Sequence, residues 1–305
     1  MIYTPLRNLL AITAWCACSW LGGVATDAIA EVVIVAHRGA SHDAPENTLA
    51  GFKLAWEFQA DAIEGDFYLT RDQQIVCIHD DTTERVARLN LPVSQSTLAE
   101  LQQLDVGSWK DERFADQRIP TLSEVLAVVP CEKRIFIEIK CGPEIVPFLA
   151  EALQRSRITT KQTVLISFKP EVISAAKSAI PDCKAYLLIG FEKARRSNTW
   201  SPTCEEVIQT ATNVNADGVD LAGNLEVVDQ DFIARCRQAG LSLHVWTIDD
   251  PRDAKQFQQL GVDSITTNRP DALRRILFSP SKERALDQIP APVAVPQVAP
   301  HAAVP

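Results

Sequence analysis

After Ala30 the chain alternates two apolar patterns: short β-branched runs and longer stretches with helical periodicity. The short runs predict strands at Val32–Ala36, Ala62–Leu69, Ile135–Lys140, Val164–Phe168, Ala185–Ile189, Gly218–Leu221, Ser242–Thr247 and Ser264–Thr267. Between them the periodicity predicts helices at Thr48–Phe58, Leu122–Val128, Pro143–Gln154, Glu171–Ala179, Cys204–Ala211, Asp229–Ala239, Pro251–Leu260 and Pro270–Leu277. Asn47 or Thr48 suits the start of the first helix, and Pro251 opens a later one. Gly240 and Gly261 each close a helix just before a strand. Strands and helices alternating eightfold over about 250 residues give the arithmetic of a closed (β/α)8 TIM barrel. A doubly wound open sheet is the competitor, but it carries a Gly-rich phosphate loop after its first strand. The single glycine of His37-Arg38-Gly39-Ala40 supplies no such loop.

Three segments break the alternation. Residues 81–120 are charged and lack a clear strand, and they read as a small insertion after the second strand. Residues 279–305 are Pro- and Ala-rich without periodicity, a composition that cannot bury a core, so a disordered tail is expected. At the other end, Arg7, the apolar run Leu9–Val24 and the small residues Ala28-Ile29-Ala30 match a secretory signal peptide over residues 1–30. An uncleaved N-terminal membrane anchor is the alternative. Cleavage leaves the barrel at 31–278 as an exported protein, periplasmic or extracellular, with no stable membrane insertion.

The formal net charge of -9 offers no basic patch, which excludes nucleic acid as a default partner. A small anionic substrate then needs positive charge concentrated locally, by a metal or by a few Arg and Lys. Six cysteines lie beyond the leader: Cys77, Cys131, Cys141, Cys183, Cys204 and Cys236. In an exported chain they invite a disulfide reading, with Cys131–Cys141 or Cys183–Cys204 as candidates. Cys77 and Cys236 sit in strand-like and helix-like runs, where buried free thiols are common.

The candidate chemistry gathers at the carboxyl ends of the early strands, where barrel enzymes build their sites. His37 and Arg38 follow the first strand. Glu64 and Asp66 are two apart in the second strand, so both point to one side of the pleat. Glu138 and Lys140 repeat that spacing on the third, among Phe136, Ile137 and Ile139. Carboxylates inside apolar strands are costly unless paired or metal-bound, and three of them suggest one divalent cation, Mg²⁺ or Ca²⁺. His79 closes the run Ile75–His79, and with His37 it makes an acid/base pair across a phosphate. Trp246, near the end of the seventh strand, suits ordinary packing and an apolar wall for substrate about equally. The pairs Asp80-Asp81 and Asp249-Asp250 read as turns and a helix cap, and His42 and His244 have no supporting neighbours in sequence.

With these residues in place, the chain resembles the glycerophosphodiester phosphodiesterase family. The likeness runs through AHRGASHDAPENTLAGF, IEGDFYLTRDQQIVCIHDDTTERV and VGSWKDERFADQRIPTLSEVL, then IFIEIK, VLISF, ADGVDL, GLSLHVWTID and LGVDSITTNRPD. The resemblance implies a barrel with an insertion after its second strand and metal-dependent hydrolysis of glycerophosphodiesters to glycerol 3-phosphate and an alcohol. It implies His37 and His79 as acid/base residues, Glu64, Asp66 and Glu138 as metal ligands, and Arg38 and Lys140 as phosphate contacts. Two departures stand out. Asn268 replaces an expected aspartate, which would weaken a supporting hydrogen bond, and Gly65 is smaller than the usual apolar residue, which would loosen packing behind the second strand. Two other readings compete: a lysophospholipase D-like hydrolase of intact lysolipids, and a non-catalytic periplasmic glycerophosphodiester-binding protein. The sequence leaves the oligomeric state open.

Overall fold

Each barrel strand presents two faces, and the two faces meet different cores. In the computed structural model, which describes residues 32–194 and 198–278 together with Met1, the strands are β1 (Val33–Ala36), β2 (Ala62–Leu69), β3 (Ile75–Cys77), β4 (Arg134–Ile139), β5 (Thr163–Ser167), β6 (Lys184–Ile189), β7 (Glu192–Lys193), β8 (Trp200–Ser201), β9 (Gly218–Ala222), β10 (Ser242–Trp246) and β11 (Ser264–Thr267). Parallel pairing runs β1-β11-β10-β9-β6-β5-β4-β2, and β2 returns to pair with β1, which closes the ring. This is the expected (β/α)8 barrel, with every predicted barrel strand in place to within a residue or two. The signal-peptide and tail assignments lie outside the described residues.

Outward positions such as Ile34, Ile63, Ile135, Ile137, Leu165, Leu187, Val219 and Leu243 pack against the surrounding helices. Inward positions form a second buried cluster of Val35, Ala62, Phe136, Val164, Ile166, Tyr186 and Leu188. The alternation follows from the period-two pleat of a strand, so Glu64, Asp66, Glu138, Asp220 and His244 all face inward. His244 stacks on Tyr186 at 4.1 Å and bonds Ser264 Oγ at 2.7 Å and Ser242 Oγ at 3.1 Å. The sequence assigned it no neighbours; Tyr186 and Ser264 reach it from other strands, and Ser242 lies two residues before it on β10.

Several helices begin where a side chain satisfies their first N–H groups. Thr48 accepts from Gly51 N, Thr121 and Thr203 form capping boxes with Glu124 and Glu206, and Asp250 caps Pro251–Leu260 as predicted. Residues 81–120 contain short helices and no named strand. They fold over a small core of their own, in which Val86, Val93, Leu101, Val106 and Ile119 pack with Val76 and Ile78. The strand-like run Ile75–His79 contains β3, which pairs antiparallel with β2, and the hairpin of β7 and β8 has no counterpart among the predicted strands. The described cysteines are free; Cys183 donates to Thr163 O, and the neighbour of Cys204 is Cys236.

Candidate active site

The first loop is shaped for close approach. Arg38 and Gly39 both have positive φ, 55° and 82°, and a Cβ on Gly39 would lie 2.5 Å from Gly51 C. Glycine is therefore required at that turn, which carries His37 and Arg38 around the end of β1. The backbone N–H of Arg38 donates to Glu64 Oε2 at 2.9 Å, tying this turn to β2.

Glu64, Asp66 and Glu138 present oxygens that all lie within 4.8 Å of one another, and all three residues are buried. Asn47 pins Asp66 from two sides, donating Nδ2 to Oδ2 at 2.8 Å and accepting from its backbone N–H at 3.1 Å. Lys140 donates to Glu138 Oε1 at 2.6 Å and lies 3.3 Å from Asp66 Oδ1, while Arg38 Nε stands 3.2 Å from Asp66 Oδ2. Burial, with Asp66 and Glu138 facing it, pushes Glu64 well above the usual carboxylate range. Burial likewise raises Glu138, with Asp66 adding to the effect. For Asp66, burial acts upward, but Arg38, Lys140 and His79 outweigh it and hold the carboxyl well below its ordinary value. Glu64 Oε1 and Asp66 Oδ1 are buried without a hydrogen-bond partner. Convergent oxygen donors with orphaned lone pairs fit a hard divalent cation, which would neutralise the mutual repulsion.

Gly65 does not leave space behind β2. A Cβ there would come within 3.1 Å of both Cys77 Sγ and Phe52 Cζ, so those side chains already fill the volume. The expected loosening is corrected on that ground.

Both histidines are fixed through Nδ1. His37 Nδ1 lies 2.7 Å from Asn268 Oδ1, whose amide Nδ2 donates to Asp249 Oδ2 at 2.6 Å. Because that amide donates through nitrogen, its oxygen accepts, so the network assigns the proton of His37 to Nδ1 and leaves Nε2 free. Burial, with Arg38 nearby, brings the His37 imidazole down to about 4. His79 Nδ1 lies 2.6 Å from Asp80 Oδ1, and Asp80 Oδ2 accepts from Arg85 Nε at 2.6 Å. Arg85 then forks onto Glu46 at 2.8 and 2.9 Å, and Glu46 also accepts from Arg38 Nη1 at 3.1 Å.

His37, Arg38, His79, Glu64, Glu138 and Lys140 thus converge on Asp66. Trp246 stands across the barrel, its indole donating to Asp220 O at 3.1 Å and its ring edge-to-face with Phe168 at 5.5 Å. Phe168 is 46% exposed just beyond β5. The sequence reading gave Glu46, Asn47, Asp80, Arg85 and Asp249 no part in the site, and tied Asn268 to a supporting hydrogen bond without its partner. Asp80 and Asp249 do more than form turns, since each supports a histidine or its partner.

The profile of the glycerophosphoryl diester phosphodiesterase family matches residues 37–272. The chain belongs to this family. It is 32% identical over 247 residues to a glycerophosphodiester phosphodiesterase of Caldanaerobacter subterraneus subsp. tengcongensis, covering 80% of this chain and 96% of that one. A glycerophosphodiester phosphodiesterase of Bacillus subtilis is 27% identical, over 80% of this chain and 86% of its own. Among solved structures, an Oleispira antarctica phosphodiesterase in complex with the product sn-glycerol-3-phosphate superposes with a TM-score of 0.72 at 25% identity, covering 81% of this chain and 97% of that one. A glycerophosphodiester phosphodiesterase of Agrobacterium tumefaciens superposes with a TM-score of 0.65 at 28% identity, covering 79% and 98%. Membership makes the chain a phosphoric diester hydrolase acting on glycerophosphodiesters.

Proposed function

We infer that this exported enzyme hydrolyses small glycerophosphodiesters to glycerol 3-phosphate and an alcohol by His–His acid/base catalysis at a site holding one divalent cation. The observation that carries the reading is the pair of histidines, each fixed through Nδ1, flanking a triad of buried acids with orphaned oxygens. Glu64, Asp66 and Glu138 would hold Mg²⁺ or Ca²⁺, which when bound would supply Lewis-acid charge neutralisation at the phosphoryl group. Arg38 and Lys140 stand over the same carboxylates and add positive charge for the non-bridging oxygens.

His37, neutral with Nε2 free, takes the proton from the attacking hydroxyl as its oxygen bonds phosphorus. His79, whose protonated ring is supported by Asp80, gives a proton to the leaving alkoxide as its P–O bond breaks. The attacking hydroxyl belongs to water or to the neighbouring glycerol carbon. In the latter case a cyclic phosphate forms first and water opens it.

Glycerol 3-phosphate release from glycerophosphocholine, measured with EDTA and then with added Mg²⁺ or Ca²⁺, tests the reading. The expected result is release that EDTA abolishes and a cation restores; release unaffected by EDTA would overturn the cation, and none under any condition would overturn the substrate.

A second reading has one observation in its favour. The exposed Phe168 against Trp246 gives an apolar edge on one side of the barrel mouth, where a lysolipid chain could lie. Faster turnover of lysophosphatidylcholine than of glycerophosphocholine would move the assignment to a lysophospholipase D-like activity.

A further inference from the structure

Among the described residues, three buried carboxylate oxygens lack a hydrogen-bond partner: Glu64 Oε1, Asp66 Oδ1 and Asp220 Oδ1. The first two belong to the acidic triad. The third stands on β9, three strands from β4 around the ring, and is 1% exposed.

Its direction follows from the pleat. Val219 and Leu221 pack outward against the helices, so Asp220 points into the barrel. On β4, Ile137 and Ile139 pack outward in the same way, so Glu138 points inward toward the same space. Strand register sets Asp220 beside Leu188 on one side and His244 on the other, and neither gives its side chain a hydrogen bond. Glu138 is the charged group that faces it across the barrel. An apolar residue would fill this position without the cost of a desolvated, unpartnered acid. The acid therefore needs a partner that the surrounding side chains do not supply, and the polar group it faces is Glu138.

We propose that Asp220 is a fourth acidic residue serving the cation site, a positioning residue that braces Glu138 from inside the barrel through a bridging water. The proposal rests on the triad being a cation site. Groups that orient metal ligands in this manner set affinity as well as geometry. Asp220 lies in the apolar strand segment ADGVDL, so the rule that exposed Glu64 and Asp66 in the sequence applies to it equally.

The test is calorimetric titration of Mg²⁺ and of Ca²⁺ into the EDTA-stripped, dialysed full chain, alongside Asp220→Asn, Asp220→Leu and Glu138→Gln. Both Asp220 variants are expected to weaken cation binding by roughly 10–100-fold, with the cation-free melting temperature unchanged or raised. Asn preserves volume and Leu removes polarity, so a folding failure of one leaves the other to read. Wild-type affinity in the Asp220 variants, with binding lost in Glu138→Gln, would overturn the role of Asp220 and leave the triad standing. An absence of binding by the wild-type chain would overturn the triad and this proposal with it.

Discussion

Asn268 Oδ1 lies 2.7 Å from His37 Nδ1, and the same amide gives Nδ2 to Asp249 Oδ2 at 2.6 Å. Ser41 Oγ also donates to Asn268 Oδ1, at 2.8 Å, so every polar atom of this amide is engaged. An aspartate at 268, as the family resemblance suggests, would set two carboxylates against each other here. Asparagine therefore strengthens this support, contrary to the sequence expectation. Asn268→Leu is expected to lower kcat by roughly 10–100-fold, the usual cost of losing a group that orients another, with little change in KM. Unchanged kcat in this variant would show that His37 needs no such support.

His37→Ala or His79→Ala is expected to reduce turnover by roughly 10²–10⁴-fold, the usual contribution of one proton-transfer group. Neither ring lies in the apolar core, so circular dichroism and melting temperature are expected to stay near wild type. Near-wild-type turnover in both variants would remove the acid/base assignment.

What the sequence disclosed and what it hid divide along contact range. The barrel was legible because period-two and helical patterns are local, and the triad because carboxylates two apart in apolar strands announce themselves. The histidine supports were hidden because Asp80 and Asp249 read locally as turn residues, while His37 and Asn268 are 231 residues apart. Arg85 lies in the charged segment that reads as an insertion, and it joins Asp80 to Glu46. The small core beneath residues 81–120 was hidden for a related reason, since its apolar residues are spaced irregularly and meet only after the chain folds back on Val76 and Ile78.

Arg85 holds the two histidine loops in one network, bonding Asp80 beside His79 and Glu46 beside Arg38. Arg85→Met keeps the length of the side chain and removes the fork. Because Arg85 is partly exposed, its loss is expected to cost little stability. Its effect should appear in kcat, through a His79 no longer held by a fixed Asp80. Equal kcat for Arg85→Met and wild type would sink the network as a catalytic support.

The triad makes a prediction about stability without cation. Glu64 faces Asp66 and Glu138 in a buried site, and their repulsion works against the fold until a cation arrives. Glu64→Gln is therefore expected to raise the melting temperature of the cation-free protein and to abolish its further rise on adding Mg²⁺ or Ca²⁺. In wild type, cation at a hundredfold excess over Kd should add about 2.7 kcal/mol. A cation-dependent rise of equal size in both proteins would place the ion elsewhere.

His244 predicts how the fold responds to acid. An imidazole in the unfolded chain titrates near 6.5, whereas burial among Tyr186, Phe136 and the barrel strands brings His244 down to about 3. Between those values the unfolded chain binds a proton that the folded chain refuses. Stability from this group is thus fully present above pH 6.5 and declines as pH falls toward 3. His244→Gln removes the titration while retaining a polar group for Ser264 and Ser242. Its melting temperature is expected to fall less steeply than that of wild type from pH 6.5 to 4, whatever the carboxylates contribute to both. Parallel slopes for the two proteins over that range would show that His244 is not held neutral in the barrel.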